Sequence, residues 1–90
     1  MDSSEQKLFD QQYEKHLRAL KLNGYSDKTI DVYAHSVRRI KEHFDRCPDR
    51  LSVEQRETYF AKLVDSHSWS TVKVDRNGLQ FFWRYVLKKD

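Results

Sequence analysis

The side chains best placed to do chemistry in this sequence are hydroxyls and cations at two points, Ser26-Asp27-Lys28-Thr29 and Ser70-Thr71-Val72-Lys73. Each segment reads as the first turn of a helix. There, unpaired backbone N–H groups and the positive end of the helix dipole can hold an anion such as phosphate. On the turns that follow, positions off the apolar stripe carry His35, Ser36, Arg38 and Arg39 in one helix and Lys73, Asn77 and Arg84 in the other. Arginine, lysine and asparagine grip phosphates and also match the donor and acceptor edges of bases in a major groove. Asp27, Asp31 and Asp75 oppose an anionic partner, so nucleic-acid binding stands at this point beside the plainer reading of a solvated charged face.

Bond-making chemistry finds no comparable set. His16, His35, His43 and His67 are scattered, with no HExxH or HxH spacing, and Cys47 has no CxxC partner, so no metal site is expected. A lone loop thiol without an oxyanion-stabilising element reads as inert, and it cannot form an internal disulfide. Gly24 and Gly78 are single and far apart, which excludes a glycine-rich phosphate loop. No cofactor is expected, and the chain is not expected to act as an enzyme.

Helices must position these groups, because the apolar spacing is helical nearly throughout. Phe9, Tyr13, Leu17 and Leu20 form one stripe of a helix over about 4–22, closed by Asn23-Gly24. Ser26 caps a second helix over 26–45, with Tyr25 and Ile30 as a staple and Ile30, Tyr33, Val37, Ile40 and Phe44 as its stripe. Pro48 marks a turn. Ser52 with Gln55 forms a capping box for a third helix over 52–66, whose apolar face is Val53, Phe60, Leu63 and Val64. Ser70, stapled by Trp69 and Val74, is expected to cap a fourth over 70–88, with Leu79, Phe82, Trp83 and Val86 inward. Four helices joined by short connections predict an all-α bundle around one core, and the aromatics at helical spacing read as core rather than as base-stacking platforms.

Length and charge agree with that class. Ninety residues allow one small domain. The net charge of +3 is unevenly spread: −3 over residues 1–14, +4 over 15–46, −1 over 47–69 and +3 over 70–90. The two basic segments could fold into one positive face. The acidic, polar N-terminus is unlike a signal peptide and no apolar run could span a bilayer, so a soluble, cytoplasmic protein with no membrane partner is expected.

The run Leu20-Lys21-Leu22-Asn23-Gly24-Tyr25-Ser26-Asp27-Lys28-Thr29-Ile30-Asp31-Val32-Tyr33, followed by Val37-Arg38-Arg39-Ile40, resembles the opening of the N-terminal SAM-like, core-binding domain of tyrosine recombinases, the phage integrase family. Leu51-Ser52, Tyr59-Phe60-Ala61-Lys62-Leu63 and the closing Ser70-Thr71, Leu79 and Phe82-Trp83-Arg84-Tyr85-Val86-Leu87 continue the resemblance in family order over about residues 8–88. It implies a compact four-helix SAM-like bundle that, with a C-terminal catalytic domain absent from this chain, clamps double-stranded DNA at a recombination site. On that view residues 1–90 are a single core-binding domain of a longer bacterial integrase. The domain would be monomeric when isolated, joined by other recombinase protomers on DNA, and nucleoid-associated when bound.

Carried over by position, the resemblance implies DNA contacts from Lys28, Thr29, Val32, His35, Ser36 and Arg39 of the second helix. The fourth helix would add Ser70, Thr71, Lys73, Val74, Asn77 and the neighbouring Gly78. Many relatives have a basic residue where this chain has Val74 and an apolar one where it has Arg76, so Lys73 or Arg76 is expected to take over that contact. Gly78, costly inside a helix, implies close approach of DNA or of another helix. None of the five tyrosines is expected to be a nucleophile. The alternatives from the residues alone are a SAM-like protein-interaction module and a stand-alone dimeric repressor, the latter requiring a dimer interface to read two half-sites.

Overall fold

A computed structural model describes residues 2–88 and gives four α-helices: α1 (Ser3–Leu22), α2 (Asp27–Phe44), α3 (Val53–Ser66) and α4 (Trp69–Phe81). A single 3-10 turn, Pro48–Arg50, links α2 to α3, and a π-helical turn, Phe82–Val86, continues α4. Among the described residues there is no strand, and the all-α bundle expected from the periodicity is the observed fold.

Local chemistry sets most boundaries. Asp2 caps α1 by accepting the Glu5 N–H, Ser26 caps α2 through the Thr29 N–H, and Ser52 and Gln55 form the full reciprocal capping box of α3. Gly24 sits at φ +82°, the left-handed conformation that ends α1 without strain on a side chain.

The start of α4 corrects the expectation of a Ser70 cap. Ser68 is the cap and accepts the Thr71 N–H, so Trp69 is the first helical residue, 67% exposed, and no staple. Extending a helix at its start leaves its inward stripe unchanged, so the earlier serine adds backbone hydrogen bonds without disturbing the core. Tyr25, half-exposed, lays its ring against Tyr33 and Phe81.

The core joins Phe9 of α1, Val37 and Ile40 of α2, Tyr59 and Leu63 of α3, and Val72, Leu79, Phe82 and Trp83 of the last helix. The π turn lets three consecutive aromatics, Phe81, Phe82 and Trp83, all be buried; the Leu87 N–H bonds to the Phe82 carbonyl across it. Two expected apolar positions fall outside the core: Val53 and Val64 of α3 are 58% and 52% exposed, because α3 turns Tyr59 and Leu63 inward instead. Cys47 is fully buried. Its N–H donates to Glu5 Oε2 at 2.6 Å, its thiol donates to Gln12 Oε1 at 3.1 Å, and burial pushes the thiol pKa up, away from the reactive thiolate.

Two polar side chains that are wholly buried, His16 and Ser36, lie within the interior. His16 lies on the α1 stripe between Tyr13 and Leu20, wholly buried, and its Nε2 is 3.2 Å from the Tyr33 carbonyl. Its ring meets Phe81 and Phe82 edge-on, and Nδ1 has no partner. Burial lowers its pKa from 6.5 to about 4, so the ring is neutral at pH 7 and Nε2–H donates to that carbonyl. Ser36 is the second, and its Oγ donates to the same Tyr33 carbonyl at 2.7 Å.

Candidate nucleic-acid interface

The starts of α2 and α4 share one capping pattern, Ser26 with Thr29 and Ser68 with Thr71. In each the cap hydroxyl lies 3.1 Å from the threonine hydroxyl as well as accepting its N–H. Thr29 and Thr71 therefore shape the first turns while remaining partly exposed.

Side-chain contacts fix how the two helices run. Tyr25, just ahead of α2, meets Phe81 at the end of α4, Ser36 and Tyr33 meet Gly78, and Arg39 meets Asp75. As one sequence advances the other retreats, so α2 and α4 are antiparallel and their N-termini lie at opposite ends of the pair. At about 1.5 Å rise per residue, Arg39 alone is about 18 Å along α2 from Asp27.

The crossing depends on Gly78. A Cβ there would overlap Ser36 Oγ and come within 3.1 Å of the Tyr33 Cα and 3.2 Å of its carbonyl oxygen. The close approach that Gly78 permits is thus between α4 and α2. The same contact removes Ser36 from any surface: it is fully buried under α4 and cannot reach a ligand as a face residue.

Arg39 is also engaged within the fold. Its Nη1 donates to Asp75 Oδ2 at 2.8 Å, and Asp75 is 4% exposed. Nη2 lies 3.0 Å from His67 Nε2, which must be the acceptor because a guanidinium has only donors. His67 Nδ1–H then donates to Ser66 Oγ at 2.8 Å, and Ser66 in turn donates to the Lys62 carbonyl at 2.8 Å. Burial raises the Asp75 pKa, while Arg39, His35 and His67 pull it back down. Asp75 and His67 were not legible as partners of Arg39 from spacing alone. The available signal was an acid on the Val72–Leu79 stripe, a position that demands a cation.

The other positions remain at the surface. Lys28, Val32 and His35 are exposed on α2, and Ser70, Lys73 and Asn77 are exposed on α4, with Val74 half-buried beside them. The remaining histidine, His43, sets its ring against Phe44 and Tyr59.

Comparison with curated proteins and with solved structures returned no match. The family comparison matches residues 13–90 to the phage integrase N-terminal SAM-like domain. That match begins within α1 and takes in the whole antiparallel α2–α4 pair with its glycine crossing. The chain belongs to the phage integrase N-terminal SAM-like domain family, the amino-terminal domain of tyrosine recombinases.

Proposed function

We propose that this domain is the DNA-gripping module of a tyrosine recombinase, holding a recombination-site duplex while strand transfer is carried out by a catalytic domain outside this chain. The observation that carries the reading is the antiparallel α2–α4 pair. It sets two capped helix starts at opposite ends of a surface longer than the roughly 12 Å width of a B-DNA major groove. Backbone N–H groups at Ser26–Thr29 and Ser68–Thr71 are suited to phosphates on either side. Lys28, Val32, His35, Ser70, Lys73, Val74 and Asn77 are the side chains this reading assigns between or beside them.

Arg39 contributes differently. Its charge is already met by Asp75, so it braces the two helices more than it attracts phosphate. Thr29 and Thr71 act through the shape of the helix starts. Ser36 is left out because it is buried.

An amide chemical-shift titration of the 90-residue chain with a short mixed-sequence duplex, at low and moderate salt, tests the proposal. Salt-sensitive shifts at 26–35 and 68–77 are expected. Absence of shifts at millimolar duplex under low salt would defeat it.

A further inference from the structure

A second surface adjoins the α2–α4 surface along the seam of α4 with α3, and Lys73 and Asn77 border both. Two adjoining clefts, of about 910 and 540 Å³, share Glu57, Phe60, Arg76, Asn77 and Gln80 in their walls and so form one continuous groove. Val53 and Tyr85 stand toward one end, Val64 and Trp69 toward the other, all substantially exposed. Aliphatic and indole groups held in water along a seam are what an amphipathic partner covers.

The rim states the partner's charge. Arg56, Lys73, Arg76 and Arg84 face the groove against a single acid, Glu57, and no acid among the described residues pairs with any of these cations. The wall also holds unmet donors. The Arg56 guanidinium stacks on the Trp83 ring at 4.9 Å, and Arg56 Nε and Trp83 Nε1 are both buried without an acceptor. Carboxylates arriving here meet cations that none of the described acids pairs with.

We infer that the α3–α4 groove docks an acidic amphipathic helix of about three turns, the length set by the roughly 16 Å from Val53 to Val64 along α3. A phosphodiester backbone satisfies the cations but leaves Val53, Val64 and Trp69 wet. A second copy of this chain has its acidic charge on α1, but the apolar stripe of that helix, around Phe9 and Leu20, is already spent in its own core. An acidic helix from a different protein segment satisfies both halves of the surface.

The test uses a capped synthetic helix of about 14 residues, with leucines at i, i+4, i+7 and i+11 and glutamates on the flanks, titrated into the isotope-labelled chain. Its counterpart carries glutamine for every glutamate. The two indole N–H signals, Trp69 and Trp83, and the amides of Val53, Phe60 and Val64 should move, with the glutamate peptide binding at least about tenfold more tightly than the glutamine one. Arg76→Glu and Val64→Asp, both at exposed positions, should each weaken binding by about tenfold while leaving the unfolding midpoint near that of the parent.

Equal affinity for the two peptides, or shifts confined to α2, overturns the inference without reliance on any protein variant. Shifts at Val64 and Trp69 on concentrating the protein alone assign the groove to self-association and overturn it as well. Displacement of the peptide by a short duplex, with shifts at Val53 and Val64, assigns the groove to nucleic acid.

Discussion

Gly78 of α4 lies so close to Ser36 of α2 that any β-carbon at position 78 would overlap the serine hydroxyl. That hydroxyl is itself held by the Tyr33 carbonyl, which His16 of α1 also approaches. Three helices therefore meet on one backbone oxygen, and the spacing of the α2–α4 pair is set by the absence of a single carbon atom.

Replacing that glycine tests the junction. Alanine gains about 1 kcal/mol in helix propensity, but the clash with Tyr33 backbone and Ser36 should outweigh it, giving a net loss of about 1–3 kcal/mol. Ser36→Ala removes the nearest obstacle, so the double variant should recover part of the loss. Urea denaturation of the four proteins in this cycle measures the coupling, which additivity would reduce to zero.

The Arg39–Asp75 bridge should matter for stability more than an exposed cation does. Arg39→Ala strands a buried carboxylate and should cost about 2–3 kcal/mol, whereas Lys28→Ala should fall within about 0.5 kcal/mol of the parent. Asp75→Asn keeps the shape and releases the guanidinium from its counter-charge. If the α2–α4 surface binds DNA, that variant should steepen the salt dependence of binding by about one unit of log affinity per log salt.

Acid should weaken the fold through His16. Its pKa falls from 6.5 to about 4 on folding, so between these values the unfolded chain binds more protons than the native one. Stability from this group is complete above pH 6.5, is lost as pH falls toward 4, and amounts to on the order of 3 kcal/mol. Asp75, whose pKa is raised by burial, has the opposite sign: its contribution is present below 3.8 and lost as pH rises through its higher native value. Unfolding midpoints from pH 4 to 7 should rise with pH in the parent and flatten in His16→Leu.

Binding to duplex DNA, on the proposed reading, should be electrostatic first. Lys28→Ala and Lys73→Ala should each reduce the salt slope by about one unit, while Asn77→Ala should relax base preference with little change of slope. Ser36→Ala, altering a group with no access to ligand, should leave the slope unchanged. Fluorescence anisotropy with a labelled duplex at several salt concentrations separates these outcomes.

Much of the architecture was legible because it is local. Stripes such as Ile30–Tyr33–Val37–Ile40, the Ser26 cap and the Ser52–Gln55 capping box depend on residues within a turn of one another, and the helices they define are those observed. The Ser70 cap was misplaced because three serines near the α4 start offer equivalent oxygen atoms, and only the closing Ser68–Thr71 hydrogen bond distinguishes them. The α3 face was drawn two residues too wide, since Val53 and Val64 belong to the seam rather than to the core.

The candidate DNA surface divides in the same way. Residue type and helical phase place Lys28, His35, Lys73 and Asn77 off the apolar stripes. Those same rules also put Ser36 and Arg39 among the ligand contacts, and neither stands free. Which neighbour lies across a helix seam depends on contacts between residues about forty positions apart, and no periodicity within one helix encodes them. By itself the sequence determined four amphipathic helices and the caps of α2 and α3. Only the tertiary structure decided that Gly78 faces α2, that Asp75 takes the charge of Arg39, and that His16 is buried, because these depend on how the stripes dock and not on how they are spaced.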